Sequence, residues 1–204
     1  MKKSNFRTII LTLIGIAGIS INICAQETGS FTDNRDATVY KTIKIGEQWW
    51  MSENLAYKSN SGCSTYEDIE DYVKTYGYFY NWETANNVCP EGWHLPSYAE
   101  FQKLSNHLGG DDVAGGKLKV TGTDHWNSPN AGATNSSGFS ALPSGRGGPD
   151  AYKAYTGLMT FFWTSEDEGE EDGICKALYS AKEEFTVYGV KKNEPYSVRC
   201  IKDQ

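Results

Sequence analysis

Val88-Cys89-Pro90-Glu91-Gly92-Trp93-His94-Leu95-Pro96-Ser97, taken with the ending Ser197-Val198-Arg199-Cys200, decides how this chain is read. Both segments have the character of extended, partly buried chain, and each carries a cysteine. They stand near the two ends of the compact part. If they pair, one disulfide ties the domain shut. That is the logic of an exported scaffold before it is the logic of an enzyme.

Working outward, Ser97 opens a helix. It is an N-cap with Glu100 three residues on, the pattern of a capping box. Phe101, Leu104 and Leu108 keep helical spacing, and Gly109-Gly110 stops the run. Before the cysteine, Gly77 to Trp82 is dense in aromatics and reads as a short strand entering a helix around Thr84 to Asn87. Tyr66 to Tyr76 is acidic with little apolar periodicity. Near the start, Val39, Lys41, Ile43 and Ile45 fall on one face of a strand. A turn at Gly46-Glu47 and a return through Trp49, Trp50 and Met51 make a β-hairpin, with the tryptophans read as core.

From Asp111 to Lys153 glycine, asparagine, serine and proline crowd in, and the stretch reads as long and mostly irregular. Trp126, Phe139, Leu142 and Pro143 argue that it is pinned to the core. Leu158 to Ser165 is strand-like, Glu166 to Asp172 is an acidic loop, and Cys175 to Ala181 with Phe185 to Val190 form a further hairpin. Tyr196 to Ile201 is a closing strand.

The 204 residues fit one domain after a leader. Residues 1–25 read as a secretory signal: Lys2, Lys3 and Arg7 precede an apolar run from Ile9 to Ile21, too short for a membrane span. Lipid attachment at Cys24 is the rival reading, against which Ile23 is larger than the small residue such signals carry. Residues 26–34 read as a flexible lead-in and 35–204 as the domain. The formal charge of −7 and the lack of a basic patch exclude a nucleic-acid binder. Past the leader, Cys63, Cys89, Cys175 and Cys200 suggest two disulfides, with three possible pairings.

In chain order these segments carry a resemblance. Tyr40-Lys41-Thr42-Ile43-Lys44-Ile45-Gly46, Gln48 and Trp50-Met51 come first, then Glu53-Asn54-Leu55 and Tyr76-Gly77-Tyr78 with Tyr80-Asn81-Trp82. Cys89-Pro90 with Gly92 to Ser97 follows, then Gly115-Gly116-Lys117-Leu118-Lys119 and Gly138 to Pro143. Phe162 to Ser165 and Ser197 to Cys200 complete the series. The chain resembles the Fibrobacter succinogenes major paralogous domain family from about Asp33 to Lys202. That resemblance implies export, often as a lipoprotein or within a multidomain surface protein. The family is more distantly similar to the C-type lectin-like fold. The implied fold is therefore α+β, with mixed and antiparallel β hairpins, two short helices and a long irregular loop region. It also implies a Cys89–Cys200 disulfide, which leaves Cys63 and Cys175 as a second pair, with free or differently paired thiols as the alternative. The Glu-Pro-Asn, Gln-Pro-Asp and Trp-Asn-Asp strings of the sugar-binding version are missing, so its calcium-dependent site is not carried over.

Two constellations remain. Trp126, Tyr152 and Tyr155, with Asn127, Asn130 and Asp150, are the candidate sugar site, since rings stack on sugar faces while amides and carboxylates take hydroxyls. For Trp126 the alternative is a core position. Glu166, Asp167 and Glu168 are weak calcium candidates, against the plainer reading of a solvated acidic loop. Neither a nucleophile elbow nor a zinc-protease helix motif is present. The expectation is a non-catalytic, secreted or envelope-bound binding module without a required cofactor, taking a glycan or protein at loops 109–155. A structural, self-associating envelope component is the alternative, and a glycoside-acting enzyme stands third.

Overall fold

The computed structural model describes residues 26–66, 69–148 and 155–204. The expected signal segment with Cys24, and the candidate residues Asp150 and Tyr152, lie outside the described residues.

The hairpin near the start forms as its alternation requires. Strand β2 (Val39–Ile45) turns at Gly46-Glu47 and returns as β3 (Gln48–Met51), pairing Ile45 with Gln48 and Ile43 with Trp50. Gly46 takes the turn at φ 62°, a conformation that a Cβ would strain. Ile43 and Ile45 are buried, while Val39 on the same face is exposed. One correction precedes this hairpin. Residues 26–34 are not a flexible lead-in, because Thr28–Thr32 forms β1, paired antiparallel with β2 over its whole length. Its polar composition suits an edge strand with one wet face. Phe31 anchors it, stacked on Tyr40 at 5.4 Å and Trp93 at 4.5 Å between ring centroids.

The middle of the chain adds β4 (Cys63–Ser64), α1 (Glu70–Tyr76), β5 (Phe79–Tyr80), α2 (Trp82–Val88) and β6 (Trp93–His94). It continues with α3 (Tyr98–His107) and α4 (Asp111–Leu118). The capping box at Ser97 is present in both directions, and Phe101 and Leu104 of α3 are fully buried. Among the described residues four helices stand where two were expected. Helix α1 has no buried residue, so it carries no apolar stripe to read. Helix α4 was hidden because it buries Ala114, Gly115 and Gly116 together with Leu118. A Cβ on Gly115 would lie 2.4 Å from the Glu184 carbonyl oxygen, and one on Gly116 would lie 2.4 Å from that of Gly132. The glycines that read as loop are the condition for packing a helix against two backbones.

Strands β7 (Met159–Asp167), β8 (Asp172–Tyr179), β9 (Thr186–Lys191), β10 (Tyr196–Ser197) and β11 (Ile201–Lys202) complete the molecule. Two sheets result, in the orders β1-β2-β3-β11-β6 and β4-β5-β10-β7-β8-β9. Strand pairs are antiparallel except for β7 with β10. The architecture is α+β, with one antiparallel and one mixed sheet. The single closing strand expected over Tyr196 to Ile201 divides between the two sheets. Ser197 pairs with Phe162 in one and Ile201 with Trp50 in the other. The crossing chain stays tied to the end of β3 and the segment after it, because Met51 N donates to Cys200 O and Leu55 N to Val198 O.

Alternation in β7 sorts the core into two clusters. Phe162 packs with Trp50, Phe101, Trp126 and Phe139. Phe161 and Trp163 point the other way, towards Tyr80, Cys175 and Tyr196. The disulfide joins Cys89, just past α2, to Cys200 at the crossing, with Cα atoms 6.0 Å apart. Closing a loop of that length stabilises by about 4–5 kcal/mol in the chain-entropy account. Cys63 and Cys175, by contrast, are free thiols. They sit on β4 and β8, with β5, β10 and β7 between them. Four inter-strand steps put them roughly 19 Å apart, beyond the ~7 Å Cα limit of a disulfide.

Candidate functional site

The face of β7, β8 and β9 that carries Phe161 is where the structure leaves rings accessible. Register places Met159 beside Tyr179, Phe161 beside Ala177, and Cys175 beside Tyr188. The middle strand therefore offers Gly173, Cys175 and Ala177 between larger side chains on either flank, with Tyr179 closing one end. Tyrosine rings lean across it: Tyr179 and Tyr188 lie 6.1 Å apart, and Phe161 is 6.0 Å from Tyr188 and 5.0 Å from Tyr196. The result is a groove of about 490 Å³. Its floor is buried at Phe161 and Tyr196, while Tyr155, Tyr179 and Tyr188 are half-buried at its sides.

Charge gathers at the rim. Arg146 lies over the Tyr155 ring at 5.0 Å and meets Glu194 at 3.4 Å. The Tyr196 hydroxyl donates to Glu194 Oε2. Lys191 is held between Glu171 at 3.0 Å and Asp172 at 3.1 Å. Burial pushes the Tyr196 phenol well above its ordinary value, and the adjacent Glu194 pushes the same way. Tyr179 is raised likewise by burial and by its hydrogen bond with Tyr188. These phenols stay protonated at neutral pH and serve as donors. Rings below and paired ions around them suit a ligand with an apolar face edged by hydroxyls.

Of the described sugar-site residues expected from sequence, Tyr155 lines this groove and Trp126, Asn127 and Asn130 do not. Trp126 is core: it is fully buried, and its Nε1 donates to Ala141 O at 3.0 Å. Asn130 is also buried, with Nδ2 donating to Val120 O and Gly122 O, so it closes a loop and offers nothing outward. Asn127 is exposed but belongs to the same loop, its backbone N–H bonded to Gly157 O. The reason for the correction is one of packing. A helix-poor segment must satisfy its own buried carbonyls, and these amides and the indole do that. The groove's Tyr179, Tyr188, Phe161 and Tyr196 were missed, although the period-2 pattern of the last hairpin puts the first two on one face.

The acidic candidates are engaged otherwise. Glu166 Oε2 accepts from the Tyr98 N–H at 2.5 Å, at the first turn of α3, where the helix dipole favours an anion. Asp167 pairs with Lys192 at 3.2 Å. Glu168 is exposed on the β7–β8 turn, where its N–H bonds Asp172 O. Among the described residues no group of three or more His, Cys, Asp or Glu could hold a metal ion. Nor is any described helix long and apolar enough to cross a membrane.

Comparison with curated proteins gives no match, and comparison with solved structures gives none. One family model does match. It covers residues 43–202, from within β2 to the end of β11, and so takes in the groove, the disulfide and both sheets apart from β1 and the first part of β2. The chain belongs to the Fibrobacter succinogenes major domain family.

Proposed function

We propose that this protein is an exported, non-catalytic binding module that takes a glycan in the groove over β7, β8 and β9. The observation that carries this reading is the set of tyrosines around that groove, half-buried and ringed by Arg146, Glu194 and Lys191. Stacking on several rings with hydrogen bonds at the edge is how a protein holds a polyol without a metal. We assign the fold to the C-type lectin-like type. Support comes from the long segment between α4 and β7, and from the disulfide between the end of α2 and the closing strands.

Titrating the protein with a panel of neutral cell-wall and plant polysaccharides, and repeating it with Tyr188→Ala, tests the assignment. Saturable binding that the variant loses supports it. A blank panel, or binding indifferent to Tyr188, sinks it. A second reading has one observation behind it. Strand β9 is a sheet edge, and Val187 on it is 44% exposed. Self-association through that edge would make the molecule an envelope-assembly component, and light scattering across a concentration series would reveal it.

A further inference from the structure

Arg199 is the most unusual charge in the molecule. It is 1% exposed and lies on the stretch that crosses between the two sheets. Its guanidinium lies 4.3 Å from the Phe139 ring centroid and 5.3 Å from that of Phe162, two rings set edge to face. Every hydrogen bond it makes goes to a neutral acceptor. Nε and Nη2 donate to Asn54 Oδ1 at 3.2 and 2.6 Å, and Nη1 donates to Phe139 O. No carboxylate of the described residues pairs with it. A guanidinium has five N–H donors, so one on each Nη is left over. A buried ion normally has a counter-charge, because removing it from water is costly.

A cavity of about 310 Å³ opens beside this cation, and Arg199 forms part of its wall. The other charges there are already matched. Lys41 lies 3.6 Å from Glu53, and Lys74 lies 3.0 Å from Glu70. Arg199 feels the charge of Glu53 without bonding it, and has no ion pair of its own among the described residues. The rest of the wall includes Ser52, Asn54, Thr75 and Ser140, which are hydroxyls and an amide. The volume is at the low end of small-molecule sites, roughly 300–1,000 Å³.

We infer that this cavity binds a singly charged sugar acid, a hexuronate residue whose carboxylate faces Arg199 and whose hydroxyls meet the polar wall. A carboxylate offers two oxygens to a planar guanidinium and neutralises a single charge. A dianion would be opposed by Glu53 in the same wall. The site shares no residue with the tyrosine groove, so the two assignments stand or fall separately.

The test is calorimetry on the protein with glucuronate, set against glucose, the methyl ester of glucuronate and inorganic phosphate. Glucuronate should saturate one site, with glucose and the ester weaker by roughly tenfold to a hundredfold, the worth of a hydrogen bond to a charged group. Arg199→Met should abolish the difference between acid and ester. Should that variant fail to fold, Thr75→Trp serves, since Thr75 is an exposed wall residue whose enlargement closes the cavity. Thr75→Trp should lose glucuronate and keep the wild-type melting temperature, while Tyr188→Ala keeps glucuronate. Equal binding of glucose and glucuronate, no binding of glucuronate, phosphate as tight as glucuronate, or full binding by Thr75→Trp would each overturn the inference.

Discussion

The segment from Lys119 to Gly148 and the outer face of β7 to β9 hold similar residue types, and they use them in opposite ways. In the first, Trp126, Asn130 and Lys119 point inward, while Arg146 at its far end reaches the groove rim. Trp126 and Asn130 bond loop carbonyls. Lys119, fully buried, donates to Ala131 O, Tyr179 O and Lys182 O at 2.7–2.9 Å. Burial pushes that ammonium down to about 8, against the pull of Glu183 and Glu184. On the sheet face the backbone has already paired with itself, so its side chains have no carbonyl to serve. Their rings and ions are left for something else. A segment without regular structure consumes its polar side chains internally, and a sheet frees them.

The contrast can be broken most directly at Trp126. Trp126→Ala should destabilise by about 3–5 kcal/mol, as large core truncations do, read as a shift in the urea midpoint. A near-neutral result would return Trp126 to the surface. Lys119→Met should cost about 1–3 kcal/mol, since it strands three carbonyls but also removes a buried charge; amide exchange should speed up across residues 119–134. Tyr188→Ala should change stability by at most about 1 kcal/mol, while weakening glycan binding by roughly tenfold or more. If it unfolds the protein instead, the groove is core and the contrast fails.

A smaller effect lies in neither region and serves as a control. His94 bonds Asp203 at 2.6 Å and Glu100 at 2.9 Å, joining β6 to α3 and to the chain end. Burial lowers the imidazole, but the bonds and charges of Asp203 and Glu100 outweigh it and leave it raised from 6.5. Burial raises Glu100, but its bonds to Ser97 and His94 outweigh that and leave it lowered from 4.5. The imidazole's contribution is complete below 6.5 and fades as pH rises through its higher folded value. The carboxylate's contribution is present above 4.5 and fades as pH falls through its lower one. The melting-temperature gap between wild type and His94→Asn should therefore be widest between 4.5 and 6.5. Thiol labelling completes the set: Cys63 should react in the native state, and buried Cys175, its thiol pushed up by burial, only on unfolding.

Legibility followed the same division. Patterns that are local were readable: the turn at Gly46, the capping box at Ser97, and the alternation of β7 to β9. Helix α4 was not, because its signal is two glycines whose purpose lies in Glu184 and Gly132, far along the chain. Strand β1 was not, because an edge strand with exposed faces has no apolar period. Trp126 and Asn130 were misread as site residues for a related reason. An aromatic beside an amide reads alike whether it stacks on a sugar or closes a loop.

By itself the sequence determined the class of the fold, the family and the segments that join its ends, since each rests on periodicity or on motifs in order. Only the tertiary structure decided which polar residues are spent inside. Three strands stand between Cys63 and Cys175 and keep them apart, and the closing strand splits between two sheets with Arg199 buried at the crossing. Burial and strand order depend on partners distant in sequence, and no local pattern of residues encodes them.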